Sequence, residues 1–236
     1  MLPDLSTLTI SNSCTKDDFK TWTDACGKGS PPRFIKWKKQ SSEDKREFRE
    51  AADRAENDKF SGGQYLSPYK LVDIDRMIKD RVYSIEHVLP RSKINGQAPG
   101  AAEDDPLGWV LATRSANSSR SNLPLVLWYT DDLQEGRVEI NGVTHYNPPN
   151  RMKARLARKW FYIRACYGKI DDLTSPSAAQ VKNRDGILAN VKKTPVGAAE
   201  RKMHSILIEK LGGWHNPLLE GNQYLEVAER LSFDCN

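Results

Sequence analysis

One segment constrains the fold of this chain more than any other. Asn141-Gly142 sits between Val138-Glu139-Ile140 and Val143-Thr144-His145, Pro148-Pro149 follows, and then Met152, Leu156, Trp160, Ile163 and Tyr167 recur at helical spacing. Asn-Gly tolerates the positive φ angles of a type I′ turn, so Arg137 to Tyr146 reads as a β-hairpin. The two prolines end it. The apolar residues then form one stripe of a helix that packs on a core, while Arg151, Arg155 and Arg158 run down another face and point cations outward.

The remaining elements are shorter. Thr15 with Asp18 three residues on resembles a capping box, and Ser41 to Asp58 is dense in helix formers, so residues 15–60 read as two polar helices broken at Gly27 to Pro32. Arg81 to Val88 is rich in β-branched and aromatic residues and predicts a strand. Ser92 to Pro106 reads as a surface loop, Trp109 to Ala112 as a second strand, and Ser115 to Leu123 as a short helix that Pro124 limits. Downstream, Asp171 to Pro195 reads as a polar connection with a short helix at Ala178 to Asn183. A helix over Ala198 to Leu211 stops at Gly212-Gly213, and a final helix covers Leu218 to Leu231. The expected class is α+β, mainly helical with a small antiparallel sheet. The expected division is a basic helical appendage over 1–66, a core over 67–170 and a helical extension packed on it over 171–236.

Charge points to a polyanionic partner. The 236 residues carry 36 Lys and Arg against 31 Asp and Glu, a net charge of +5, and the pI is near 8.9. Lys28 to Lys39, which includes Lys36, Lys38 and Lys39 and interleaves Phe34 and Trp37, has no acid, and neither has Arg151 to Lys169. Both stretches suit phosphates. Cys14, Cys26, Cys166 and Cys235 have no C-x-x-C spacing; reduced thiols are expected rather than a zinc site. No signal-peptide pattern or membrane-spanning run is present, so the expected place is cytoplasmic or intracellular, with an exported mature form as the alternative and no membrane or obligate protein partner.

The chemistry concentrates in Ile85-Glu86-His87-Val88, Pro90, and Asn117-Ser118-Ser119-Arg120-Ser121-Asn122. Imidazole can take a proton from water near neutrality, which makes His87 the candidate general base. The Glu86 carboxylate and the Asn117 amide oxygen are hard donors suited to Mg²⁺, with Mn²⁺ or another divalent cation able to substitute. Adjacent residues of a strand point to opposite faces, so both can serve one site only where the strand ends, as Pro90 suggests. Arg114, Asn117 and Arg120 recur at intervals of three, on one helix face, which suits an anionic substrate. His145, His204 and His215 have no such setting and read as packing or local hydrogen-bonding residues.

I-E-H-V-L-P-R-S followed by N-S-S-R-S-N-L-P resembles the E-H-x-x-P and N-x-x-R-x-N signatures of the endonuclease I family, within the ββα-metal, or HNH-like, nucleases. Pro148 to Tyr162, with Tyr167 beyond, resembles that family's P-P-x-x-x-K-G-D-x-A-R-x-x-F-Y helix. The resemblance covers about Arg81 to Tyr167 and implies a ββα-metal motif. It further implies His87 as general base, Glu86 and Asn117 as magnesium ligands, and Arg120 and Asn122 supporting or touching the phosphate. DNA, and often RNA, would be the substrate, cut to 5′-phosphate ends. Two departures stand out: nothing basic occurs between Lys93 and Arg114, where the family places a phosphate-binding arginine, and K-G-D reads Lys153-Ala154-Arg155. The clamp then falls to Arg91, Arg114 or a residue elsewhere, with Lys93, Arg151, Arg155 and Arg158 as further nucleic-acid contacts. The rival reading is a non-catalytic nucleic-acid-binding protein on the same framework.

Overall fold

A computed structural model of the chain describes residues 14–27, 64–66, 71–73, 83–90, 102, 105–167 and 176–235. Among these residues the architecture is mainly helical with three two-stranded antiparallel sheets, an α+β arrangement. Helix α1 spans Lys16–Cys26; strands β1 (Gln64–Leu66) and β2 (Leu71–Asp73) pair with each other, as do β3 (Tyr83–His87) and β4 (Trp109–Thr113). Helix α2 (Arg114–Arg120) follows β4 without a break. The hairpin β5 (Gly136–Ile140) and β6 (Val143–Asn147) leads into α3 (Asn150–Tyr167), and α4 (Ala178–Lys182), α5 (Arg184–Lys193), α6 (Ala198–Lys210) and α7 (Leu225–Phe233) complete the chain.

Local chemistry fixes several of these elements. Thr15 caps α1 reciprocally with Asp18, which satisfies amides that the first helical turn leaves open. Asn141 and Gly142 take φ of 53° and 76° at the hairpin turn, the positive angles that Asn-Gly accommodates at least cost. Gly212 and Gly213, at φ of 63° and 93°, end α6 where the sequence predicts a stop. In α5, Ile187, Leu188 and Val191 turn inward, so the expected polar connection over Asp171 to Pro195 contains a second packed helix.

Helix α3 is the axis of the fold. The expected single apolar stripe is wider than the sequence suggests, because Lys153, Arg158, Lys159 and Arg164 are buried along with Leu156, Trp160, Phe161 and Tyr162. Three of these cations are held by distant acceptors: Arg158 by Glu200 at 2.9 and 2.6 Å, Lys159 by the Leu107 carbonyl at 2.8 Å, and Arg164 by the Ser232 carbonyl at 3.0 Å. A charge can be buried when paired and hydrogen-bonded in this way. One hydrophobic cluster contains Trp22 and Cys26 of α1, the inner face of α3, and Leu225, Ala228 and Leu231 of α7. The first helix is therefore part of the core. Cys14 and Cys235 are bridged, with Cα atoms 5.5 Å apart, which corrects the expectation of four reduced thiols. The folded chain brings together two cysteines 221 positions apart, a proximity that spacing in sequence does not carry.

Candidate nuclease site

Strand β3 includes both Glu86 and His87, and the bend expected at the pair comes after them, at Val88 and Leu89. In the β3–β4 register Glu86 lies opposite Val110 and His87 opposite Trp109. The two side chains leave the strand on opposite faces. The imidazole packs edge-on against Trp109, with ring centroids 5.8 Å apart. Glu86 is buried on the other side and meets the end of α2.

Arg120 makes that junction. Its Nη1 donates to Glu86 Oε1 at 2.5 Å and to the His87 carbonyl at 3.1 Å, and its Nη2 donates to the Val88 carbonyl at 2.7 Å. One guanidinium thus ties the carboxylate, the backbone of the imidazole-bearing residue and the following bend to α2. The residues expected on one face of α2 run from exposed Arg114 through half-buried Asn117 to Arg120 at 1% exposure. Asn117 stands one turn before Arg120, about 4.5 Å along the axis. Asn122 is exposed just beyond the helix. It lines a cleft of about 230 Å³ with Val88, Pro90, Arg120, Trp160 and Arg164, and no carboxylate is among the cleft's described lining residues.

Burial pushes the Glu86 carboxyl up to about 7, against the pull of Arg120. A divalent cation near its second oxygen would hold it ionised, and a carboxylate with an amide is a sparse oxygen set that suits a cation keeping several waters. The residues present fit such an ion to that extent. Among the described residues no group of three or more His, Cys, Asp or Glu gathers as a metal cluster.

Other expected contacts fall differently. Arg151 is exposed and Arg155 half-buried, but Arg158 is buried against Glu200, so the outward cationic stripe expected along α3 does not extend to it. Lys36, Lys38, Lys39, Arg91 and Lys93 lie outside the described residues. Lys153 is fully buried, its Nζ has no hydrogen-bond partner among the described residues, and burial pulls its pKa down to about 8.

Sequence reasoning missed the group that holds β4 in place. Asp105, expected in a surface loop, is fully buried. Its Oδ2 accepts from the Tyr162 and Tyr167 hydroxyls at 2.7 and 2.8 Å, and its Oδ1 accepts from the Leu107 amide at 2.8 Å. Trp214 Nε1 donates to the Tyr162 hydroxyl at 2.7 Å. This network pins the short 3₁₀ turn Pro106–Gly108 to α3, and the Gly108 carbonyl accepts from the Val88 amide at 3.1 Å, beside His87. The local signal was Asp-Pro at a turn start, where an aspartate caps the amide two residues on. No model of a known protein family matches the chain, and no curated protein matches it either.

Proposed function

We propose that the chain is a metal-dependent endonuclease that hydrolyses phosphodiester bonds of DNA, and of RNA as well, leaving 5′-phosphate ends. The observation that carries this reading is the junction at Arg120, which joins the Glu86-His87 strand end to the helix bearing Asn117. It supports the endonuclease I resemblance and a ββα-metal arrangement of β3, β4 and α2.

In this reading the imidazole of His87, at the last residue of β3, turns past the strand end to the Glu86 side and takes the proton from the attacking water. Glu86 Oε2 and the Asn117 amide oxygen would hold Mg²⁺, which when bound neutralises charge on the phosphate and the leaving oxygen. Arg120 is a positioning residue, since its Nη1 and Nη2 already hold Glu86 and the strand end and the side chain is buried. The phosphate contact falls to exposed Arg114, with Asn122 and Arg151 as further strand contacts. The Cys14–Cys235 bridge favours the exported alternative, because disulfides persist in oxidising compartments. Among the described residues no helix is long and apolar enough to cross a membrane.

The rival, binding without turnover, draws on the same carboxylate: Arg120 already neutralises Glu86. Incubation of the folded chain with duplex DNA separates the two. Nuclease action yields fragments with ligatable 5′-phosphates in Mg²⁺ and none in EDTA. Salt-dependent binding with intact DNA under every divalent cation tried would favour the rival.

A further inference from the structure

Cys26 and Cys166 are both buried, and their sulfurs lie 3.9 Å apart. A disulfide holds its sulfurs about 2.0 Å apart, so closing the pair asks for a shift of roughly 2 Å. The backbone around Cys26 is already held, because its carbonyl accepts from the His215 amide at 2.8 Å. Cys166 accepts from Trp22 Nε1 at 3.2 Å, which fixes its sulfur against α1. All four cysteines of the chain therefore fall into two neighbouring pairs, and the other pair is bridged.

We propose that Cys26 and Cys166 form a second disulfide as the chain matures. The two bridges would then hold both ends of α1: Cys14 at its start to Cys235 beyond α7, and Cys26 at its end to α3. The Asp18–Arg230 ion pair at 2.6 Å already draws the first end inward.

The bond forms by thiol–disulfide exchange with a disulfide oxidant such as oxidised glutathione. One cysteine thiolate attacks the oxidant and releases a reduced thiol. The second thiolate attacks the resulting mixed disulfide and releases another. Two electrons pass to the oxidant, and the protons of the two cysteines leave to solvent or to the released thiols. Docked α1 shields both sulfurs, so exchange occurs while the helix is undocked, during folding.

The test refolds the full chain from the reduced, denatured state in a glutathione redox buffer, alkylates it in denaturant, and maps its peptides without reduction. Two cross-linked peptides, Cys14 with Cys235 and Cys26 with Cys166, are expected, with no alkylated cysteine and a mass below that of the reduced chain by four hydrogens. Recovery of Cys26 and Cys166 as alkylated thiols overturns the proposal, whether or not Cys14 and Cys235 are joined. A crossed pairing, such as Cys14 with Cys26, overturns it equally.

Discussion

At the scale of single residues, Arg120 and Asp105 are charged groups whose burial depends on the partners that hold them. Removing one partner of a buried ion pair leaves the other charge without compensation. Arg120→Ala is therefore expected to destabilise the fold by about 3–5 kcal/mol in urea denaturation, since it strands Glu86 and two carbonyls. Arg151→Ala, at an exposed position, serves as the control and should stay within about 0.5 kcal/mol. Asp105 makes a different prediction. Burial raises its pKa to about 6 from 3.8, against the hydrogen bonds that favour ionisation. The native state then holds this proton more tightly than the unfolded state does. Its contribution is fully present below the unfolded pKa and is lost as pH rises to about 6. His204, depressed to about 4 by burial, acts oppositely in an overlapping window, so a variant must isolate the effect. Compared with Asp105→Asn, the natural chain should lose stability between pH 4 and pH 6, on the order of 3 kcal/mol; parallel stability profiles would contradict it.

At the scale of elements, the join between the Pro106–Gly108 turn and α3 sets the register of the strand end. A Cβ at Gly108 would lie 2.5 and 2.6 Å from two carbons of Ile163, too close without movement. Gly108→Ala should cost about 1–3 kcal/mol through overpacking, and Gly108→Ala with Ile163→Ala should be less destabilised than the sum of the single changes. The elements that the sequence predicts well are those whose cause is local. The Asn141-Gly142 turn, the Thr15–Asp18 cap and the Glu86-His87 strand end each follow from neighbouring residues. The same holds for the order strand, strand, helix that brings Glu86 to Arg120. The charged faces of α3 are different. Arg158 looks solvent-facing by periodicity, yet Glu200, 42 positions away, draws it inside, and Arg164 is held likewise by the Ser232 carbonyl, 68 positions away. Asp105 was hidden for the same reason, since the hydroxyls that hold it lie 57 and 62 positions downstream.

At the scale of the molecule, the first helix and the last close on α3 and share its core, so the candidate site stands on a scaffold drawn from both ends of the described chain. In the proposed reaction that scaffold fixes the strand end from which the general base would act. His87 is held through its strand pairing with Trp109, through Gly108 to the Asp105 network, and through Arg120 to α2. The most direct test compares the natural chain with His87→Ala on supercoiled plasmid in Mg²⁺, with folding of both checked by circular dichroism. The natural chain should nick the plasmid, EDTA should stop it, and His87→Ala should be slower by about 10²–10⁴-fold. A folded natural chain that leaves the plasmid intact in Mg²⁺ and Mn²⁺, or a His87→Ala variant that cuts at the natural rate, would contradict the account.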